Sequence, residues 1–492
     1  MKNQVQLIAY ADRFAGATIR DLHALLTREL KNVFGAVHVL PFYDPIDGAD
    51  AGFDPVDHTA VDARLGTWSD VEALARDIDV MADVIVNHIS SDSAQFRDYL
   101  HQGRSSDYAG MFLTFDSVFP QGATGEDLVA IFRQSRSLPF TMQRLDSGES
   151  RVFWTTFTPQ QVDIDVEHPR GRAYVTQVIE TLARHGVKMI RLDAAGYAIK
   201  RAGTSCFMIP ETFGFIDALT QQARALGIEV LVEIHSYYRD QIEISRRVDR
   251  VYDFALPPLV LHAFAFRTAK HLKHWIAIRP TNALTVLDTH DGIGIIDIGA
   301  DPRDPVRRPG LVPPDQLEAL VDIIHERTAG ASRLASGAAA ENVDEYQINT
   351  TFYDAMGAND ESYLLARALQ FFLPGIPQVY YVGLLAGSND LELLARTHTG
   401  RDINRRYYAK GEIAAQLARP VVAAQIELIH LRNTHPAFAG EFALVPSGDD
   451  VVHLRWSCGQ DIAELLIRFS DGSYELQYSE RESVRALRFP RR

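Results

Sequence analysis

The sequence is poor in cysteine, carries no excess of positive charge and contains no long apolar run. Only two of its 492 residues are cysteines, Cys206 and Cys458, and their different surroundings exclude a disulfide framework and a cysteine-based zinc site. The formal net charge of −15 argues against partners such as nucleic acid or an anionic membrane surface. No uninterrupted apolar run approaches the roughly 18 residues that a membrane-spanning helix needs.

The amino terminus also lacks a targeting signal. Met1 leads directly into the strand-like sequence VQLIAY, without the basic start and apolar core of a secretory signal. We therefore expect a soluble cytoplasmic protein. A chain of 492 residues exceeds a bare (β/α)8 barrel of about 250 residues, so a barrel with insertions and an added domain fits the length.

Short apolar runs alternate with helical patterns along most of the chain, which is typical of parallel βαβ units. Helix signals include Ser69 with Glu72, which predicts a capping box at that helix start. The eight predicted strands are residues 5–10, 36–42, 81–88, 187–193, 229–234, 251–257, 283–290 and 377–383. Eight such units predict an α/β fold, a (β/α)8 TIM barrel.

Long gaps between the predicted strands indicate insertions. We predict a barrel over 1–88 and 187–435, with an inserted subdomain and a connecting helix over 89–186, after strand 3. A second insertion after strand 7 covers 291–376 and contains a loop that we expect to be mobile. Strands of period two after about residue 436 predict a small β domain over 436–492.

Acidic residues follow three of the apolar runs: Asp193, Glu233 and Asp291. In a parallel barrel the carboxyl ends of the strands face the open mouth, where chemistry takes place. Three carboxylates brought together repel one another, so function is a better explanation for them than stability. Asp253 also follows an apolar run, but for this single residue a helix N-cap or an ion pair is the simpler explanation.

Cleavage of a glycosidic bond needs one carboxylic acid and one carboxylate, about 5–5.5 Å apart in retaining enzymes. We therefore predict a carbohydrate-active enzyme in which Asp193 is the nucleophile and Glu233 is first the acid and then the base. Arg191, on the same strand face as Asp193, is expected to keep it ionised. Asp291 is expected to bind sugar hydroxyls, and His88 and His290 to donate hydrogen bonds to the same sugar.

The residues around these carboxylates form a set of specific motifs. They include DVIVNH (83–88), QQVDID (160–165), RLDAAGY (191–197), VEIHSY (232–237), TVLDTHDG (285–292), DGADAGFDPVDH (47–58), FFLPGIPQVYYVG (371–383) and GRDINRRYY (400–408). From Met1 to about residue 436 the chain resembles the sucrose phosphorylase branch of the α-amylase superfamily.

The resemblance implies glucosyl transfer from sucrose to phosphate, which yields α-D-glucose 1-phosphate and fructose through a covalent glucosyl-enzyme. It implies no cofactor and no metal. The glucosyl ring would be held by Asp50, His88, Arg191, His290 and Arg401. The acidic run over 44–57 does not have the spacing of an EF-hand calcium loop, and we expect Asn87 to hydrogen-bond the backbone.

Two loops are expected to form the acceptor side of the site. By the same resemblance, the acceptor site is lined by the consecutive residues Asp344, Glu345, Tyr346 and Gln347. The loop opposite resembles RPRPGLPF in the family but reads RQSRSLPF over 133–140, so its second arginine lies one position later. Either Arg136 binds phosphate, with Tyr346 as a further candidate, or phosphate is bound more weakly and the acceptor site is wider. A wider site would transfer the glucosyl group to sugars, alcohols or phenols as well and would hydrolyse some sucrose.

The sequence leaves several rival functions open. They are a phosphorylase of sucrose 6′-phosphate, glucosylglycerol or glucosylglycerate, a sucrose hydrolase or transglucosidase, and a non-catalytic barrel. The last is disfavoured because all three carboxylates are present. A homodimer is ordinary for the branch, and neither nucleic acid nor a membrane is an expected partner.

Overall fold

Eight parallel strands close a barrel at the centre of the fold. The computed structural model describes residues 1–14, 16–48, 50–132, 138–304, 306, 308–337, 347–480 and 483–489. The barrel strands are β1 (Gln6–Ala9), β2 (Ala36–Val39), β3 (Asp79–Ile85), β4 (Met189–Asp193), β5 (Glu229–Val232), β6 (Arg250–Asp253), β7 (Ala283–Thr285) and β8 (Ile376–Tyr380). They pair in chain order, and β8 closes the barrel against β1. Each predicted segment overlaps one of these strands, so the predicted barrel is confirmed.

Helices surround the barrel and fill the connections. The helices of eight or more residues are Ile19–Thr27, Trp68–Asp77, Ala94–Gln102, Pro169–Arg184, Pro210–Ala225, Tyr238–Ser245, Leu256–Phe266, Lys270–Ile278, Pro314–Arg327, Asp360–Phe372, Lys410–Leu417 and Pro420–Thr434. Shorter helices are Phe115–Val118, Gly125–Ala130, Ala331–Ser336, Phe352–Ala355, Tyr381–Leu384 and Leu391–Thr397. Among the described residues, no helix is long and apolar enough to cross a membrane.

Two local predictions were wrong. The helix Trp68–Asp77 is capped by Thr67, whose amide donates to Asp70 at 2.8 Å, because the helix begins earlier than the Ser69 signal indicated. Strand β7 ends at Thr285 instead of residue 290. The chain leaves the sheet there because Asp288 turns inward to pair with the buried Arg367.

The insertion after β3 begins as an antiparallel ribbon. The strand His88–Ser90 pairs with Gln161–Asp163, and a second ribbon joins Phe140–Arg144 to Ser150–Trp154. The first ribbon continues directly from the mouth of the barrel, so it brings His88 to the edge of the mouth.

The chain ends in a five-stranded antiparallel sheet, as predicted from the period-two pattern. Its strands are β9 (Glu441–Leu444), β10 (Val451–Cys458), β11 (Asp461–Arg468), β12 (Tyr474–Glu480) and β13 (Ser483–Ala486). Trp456 in β10 donates its indole N–H to the carbonyl of Phe372 at 2.7 Å, which fixes the sheet to the helix Asp360–Phe372. The domain limits stated above remain predictions.

A polar column runs through the barrel interior toward the mouth. At its lower level Gln378 donates to Gln6 at 2.7 Å. Two residues further along the strands, His38 contacts Asp83 at 2.9 Å, and Asp83 lies beside Arg191 in the register of β3 and β4. Buried polar groups are stable only when they are paired, so this column holds Arg191 in a defined position below the mouth.

Candidate active site

A cavity of about 600 Å³, open to solvent, lies at the carboxyl ends of the barrel strands. This volume includes the open solvent at the mouth of the cavity. Eight predicted site residues line it: Asp50, His88, Asp193, Glu233, His290, Asp291, Gln347 and Arg401. The structure therefore brings together residues that are up to 351 positions apart in the chain.

Asp193 ends β4 and is positioned by Arg191 from below. Arg191 donates to Asp193 at 2.8 Å and to Asp83 at 2.6 Å, and it is only 2% exposed. Burial and the nearby carboxylates of Glu233 and Asp291 nevertheless raise the pKa of Asp193 well above its usual range, with Arg191 opposing them. The contact was predicted, but the pKa moves in the opposite direction, because burial and the neighbouring carboxylates together outweigh Arg191.

Glu233 follows β5 directly and faces the same cavity. The amide of Ala194 donates to one of its oxygens at 3.4 Å, which shows that the side chain reaches across to the end of β4. The other oxygen lies 3.8 Å from Nε2 of His235. The side chain keeps 14% of its surface exposed, so it is accessible from the cavity.

Asp291 lies six residues beyond the end of β7, in the loop that leaves the sheet. One oxygen lies 3.0 Å from Arg401, and the other lies 3.4 Å from His290 and 3.9 Å from Arg191. Burial alone would raise the pKa of Asp291, but His290 and the guanidinium groups lower it far below its usual range. Asp291 is therefore a fixed negative charge.

Arg405 is a member of the site that the sequence reasoning missed. It is 1% exposed, lies 3.3 Å from Asp50 and donates to the carbonyl of His290 at 3.0 Å. Arg401, in the turn Gly400–Asn404, reaches the other oxygen of Asp50 at 3.3 Å. Burial opposes the ionisation of Asp50, but the two arginines lower its pKa. The signal was present in GRDINRR, where a second arginine follows Arg401 by one helical turn.

The two predicted histidines lie on either side of Phe53. His88 contacts the Phe53 carbonyl at 2.9 Å through Nε2, and the ring of His290 stacks on the Phe53 ring at 4.8 Å and 9°. Burial lowers the pKa of His290 to about 3, so its ring is neutral near pH 7. The neutral imidazole of His290 can therefore exchange hydrogen bonds with sugar hydroxyls without adding charge, whereas both ring nitrogens of His88 already have partners, Phe53 and Asn87.

An aromatic wall that the sequence reasoning also missed closes another side of the cavity. Tyr197 packs against Phe207 at 4.6 Å and against Phe157 at 5.2 Å between ring centroids. Aromatic residues in a barrel are usually core, so nothing in the sequence singled these out. Flat apolar walls of this kind suit the faces of sugar rings.

The Lys200 ammonium contacts Asn87, so the prediction that the Asn87 side chain hydrogen-bonds the backbone was wrong. The Asn87 side chain accepts from Lys200 at 2.7 Å instead of contacting the backbone. Lys200 also donates to the Tyr197 carbonyl and pairs with Asp163 at 2.6 Å. The ammonium thus connects the inserted ribbon to the barrel.

Donor atoms of Glu233, His235 and Asp291 lie within 4.8 Å of one another. Such a spacing would suit a metal ion, but Asp291 already faces Arg401 and His290. This donor set is therefore better suited to the carboxylate chemistry of sugars than to a resident metal.

The predicted acceptor side is described only in part. Gln347 lies in the strand Gln347–Ile348, which pairs with Ile293–Gly294 and places Gln347 at the cavity. The remaining predicted residues of this side lie outside the described residues: Arg136, Asp344, Glu345 and Tyr346.

Comparisons with known proteins identify the family of the chain. Residues 30–233 match the family model "Alpha amylase, catalytic domain". The chain is 55% identical to a sucrose phosphorylase of Agrobacterium vitis over 96% of both chains, and 53% identical to one of Bifidobacterium adolescentis over 93% of this chain and 90% of that protein. A crystal structure of sucrose 6F-phosphate phosphorylase from Thermoanaerobacter thermosaccharolyticum matches 99% of this chain and 98% of that chain, with a TM-score of 0.90 and 36% identity. The chain therefore belongs to the sucrose phosphorylase family, within the α-amylase superfamily.

Proposed function

We propose that the chain transfers a glucosyl group from sucrose to phosphate with retention of configuration, releasing fructose and α-D-glucose 1-phosphate. The observation that carries this proposal is the convergence of Asp193, Glu233 and Asp291 in one cavity of a chain that is more than half identical to two sucrose phosphorylases. Retaining transfer requires a nucleophilic carboxylate and an acid beside the same glycosidic bond.

In the first half-reaction, the Asp193 carboxylate attacks C1 of the glucosyl unit. The bond from C1 to the fructosyl oxygen breaks, and Glu233 gives its proton to that oxygen. Burial and the neighbouring carboxylates raise the pKa of Asp193, whereas Arg191 together with the developing positive charge at C1 favours its carboxylate form. The products are fructose and a glucosyl ester of Asp193.

In the second half-reaction, an oxygen of phosphate attacks C1 from the side that fructose has left. The bond to Asp193 breaks, and Glu233 accepts the proton that the phosphate oxygen carried. Two displacements at C1 restore the α configuration.

The glucosyl ring is held by groups whose charge is fixed. Asp291 and Asp50 are kept ionised by Arg401 and Arg405, and neutral His290 completes the ring of hydrogen-bonding partners. Carboxylates that accept from sugar hydroxyls bind more tightly as positive charge develops at C1, so this arrangement favours the transition state.

For the acceptor side, the proposal rests on sequence. Gln347 faces the cavity from one edge, and the loop before it supplies Asp344, Glu345 and Tyr346 as candidate acceptor contacts. Arg136 is the candidate phosphate ligand from the opposite loop. Replacement of Arg136 by alanine should weaken the apparent affinity for phosphate while sucrose hydrolysis continues.

The direct test measures glucose 1-phosphate and free glucose from sucrose, with and without phosphate, and repeats both with sucrose 6′-phosphate and glucosylglycerol as donors. We expect phosphate-dependent glucose 1-phosphate from plain sucrose. Glucose release that ignores phosphate would instead indicate a hydrolase or transglucosidase, and turnover of only another donor would contradict the proposed substrate. Glu233→Gln is the matched control, since it keeps the size of the side chain but removes the proton.

A further inference from the structure

A buried histidine–aspartate pair, His235 and Asp297, lies directly beside Glu233 and has no part in the reaction described above. His235 is two residues beyond Glu233 on the same chain segment, whereas Asp297 comes from the loop after β7. His235 is 6% exposed and Asp297 is fully buried. Burying a carboxylate is costly unless it serves a partner, so the pair calls for an explanation.

The imidazole of His235 is fixed in both position and tautomer. Its Nδ1 lies 2.8 Å from Asp297, and its ring stacks on Phe254 with centroids 3.8 Å apart and planes 16° apart. Because Asp297 can only accept in its ionised form, Nδ1 carries the proton of this contact. Nε2 is therefore directed away, and it lies 3.8 Å from a Glu233 oxygen. Nε2 is buried and has no hydrogen-bond partner among the described residues.

Asp297 is itself held in place by several donors. Gln241 donates to its second oxygen at 2.7 Å, and the amide of Ser236 donates to the same oxygen at 3.2 Å. Gly294 leaves just enough room, since a Cβ there would lie 2.0 Å from Asp297 and 2.8 Å from Nδ1 of His235. The surroundings are thus shaped around the contact between the carboxylate and the imidazole.

We propose that Asp297 is a positioning residue that keeps His235 charged, so that the imidazolium stabilises the Glu233 carboxylate formed when fructose leaves. This inference rests on the proposed function of Glu233 as the acid. In the first half-reaction Glu233 loses its proton, and the N–H of a charged His235 at Nε2 faces the oxygen that becomes negative. In the second half-reaction the same charge keeps Glu233 ready to accept the proton from phosphate.

Burial raises the pKa of Asp297 and the contact with His235 opposes that shift, so the charges of the two groups depend on each other. Burial lowers the pKa of His235, but Asp297, and then Glu233 and Asp291, outweigh it and raise that pKa above its usual value. The titratable and charged groups that face Glu233 from other elements are Asp193, Arg191, Arg401, Tyr252, Asp291 and Asp297. All except Asp297 are unchanged in the variants below, so a change in the pH profile reports on the pair.

The test is the pH profile of kcat/KM for sucrose in Asp297→Asn, measured with a chelator present to remove trace metal. Under the proposed function, the alkaline limb of this profile marks loss of the proton from Glu233. Asparagine keeps the shape but leaves His235 neutral, so Glu233 holds its proton more tightly and the limb moves to higher pH by about one unit. Asp297→Asn also removes the direct repulsion between the carboxylates of Asp297 and Glu233, and this effect alone would move the limb to lower pH. A limb that stays in place or moves to lower pH therefore overturns the inference.

Two further variants separate charge from packing. His235→Gln removes the charge of the imidazole and should move the limb in the same direction as Asp297→Asn. Gln241→Leu removes a hydrogen bond to Asp297 without changing any charge, so it should lower the rate at most and leave the limb in place. Equal behaviour of Gln241→Leu and Asp297→Asn would mean that the pair is only structural.

A measurement on the unaltered protein does not depend on whether the variants fold. In the nitrogen NMR spectrum of protein with isotope-labelled histidine, the signal lost in His235→Gln identifies His235. That signal should show a protonated Nδ1 and titrate above the usual pKa of about 6.5. Titration below that value overturns the inference. If the unaltered protein makes no glucose 1-phosphate, the proposed function fails instead, so the two failures are distinguishable.

Discussion

Replacement of Lys200 by methionine tests how the inserted ribbon is fixed to the barrel. The ammonium of Lys200 lies 2.6 Å from Asp163, and the two side chains are 1% and 0% exposed. Methionine fills the space of the lysine stem but leaves the Asp163 carboxylate buried without its countercharge. Removal of one partner of a buried ion pair costs about 3–5 kcal/mol.

The expected change in melting temperature follows from the size of the protein. An unfolding entropy of about 2.1 cal/mol/K per residue amounts to about 1 kcal/mol/K for a single cooperative unit of 492 residues. A loss of 3–5 kcal/mol therefore lowers Tm by about 3–5 °C. Differential scanning calorimetry at constant pH and salt measures this shift.

Two companion variants make the result interpretable. Lys188→Met makes the same change on the exposed surface and should alter stability by no more than about 0.5 kcal/mol. In the double variant Lys200→Met with Asp163→Asn the orphaned charge is gone, so the loss should be smaller than the sum of the two single losses. A Tm of Lys200→Met within 1 °C of the unaltered protein, to about the precision of calorimetry, would refute the assignment of a buried ion pair.

Three further outcomes follow from the contacts. Arg405→Met leaves Asp50 without one of its two guanidinium partners, so kcat/KM for sucrose should fall at least about tenfold; an unchanged value in steady-state kinetics would contradict the role given to Arg405. Burial lowers the pKa of His58 to about 3. The unfolded chain therefore binds a proton at His58 as the pH falls below about 6.5, whereas the folded protein does not. The stability of the unaltered protein should therefore fall by up to about 1.4 kcal/mol more between pH 6 and 5 than that of His58→Gln, and equal slopes in urea unfolding would count against this. Trp456→Phe removes the hydrogen bond to Phe372 and should cost about 1 kcal/mol of stability with kcat unchanged, and a large loss of kcat would show that the sheet acts on the site.

The barrel and two of its carboxylates could be predicted because local sequence determines them. Asp193 ends β4 and Glu233 directly follows β5, so an apolar run that ends in an acid was sufficient to place both at the mouth. Asp253 ends β6 in the same way but pairs with Arg279 at 2.6 Å, as expected of a single structural carboxylate. The three cases look alike in isolation, and only the surrounding motifs separate them.

The parts that escaped prediction depend on contacts between distant segments. Arg405 meets Asp50 across 355 positions, and Lys200 meets Asn87 across 113. The spacing of Arg405 after Arg401 marks it as a candidate, but no local pattern identifies the partner of such a residue, because a buried arginine or lysine has the same neighbours in sequence as an exposed one. The raised pKa of Asp193 has the same origin, since it depends on burial and on carboxylates that folding brings together.

The most direct test of the central claim is to trap the glucosyl-enzyme in Glu233→Gln. Glucosyl fluoride, whose leaving group needs no acid, is mixed with this variant, and the protein is digested and analysed by mass spectrometry. Because the base of the second step is missing, the account predicts one added glucosyl unit on the peptide that contains Asp193, and none in the double variant Asp193→Asn with Glu233→Gln. A glucosyl unit on another residue, or its persistence in the double variant, would contradict the account.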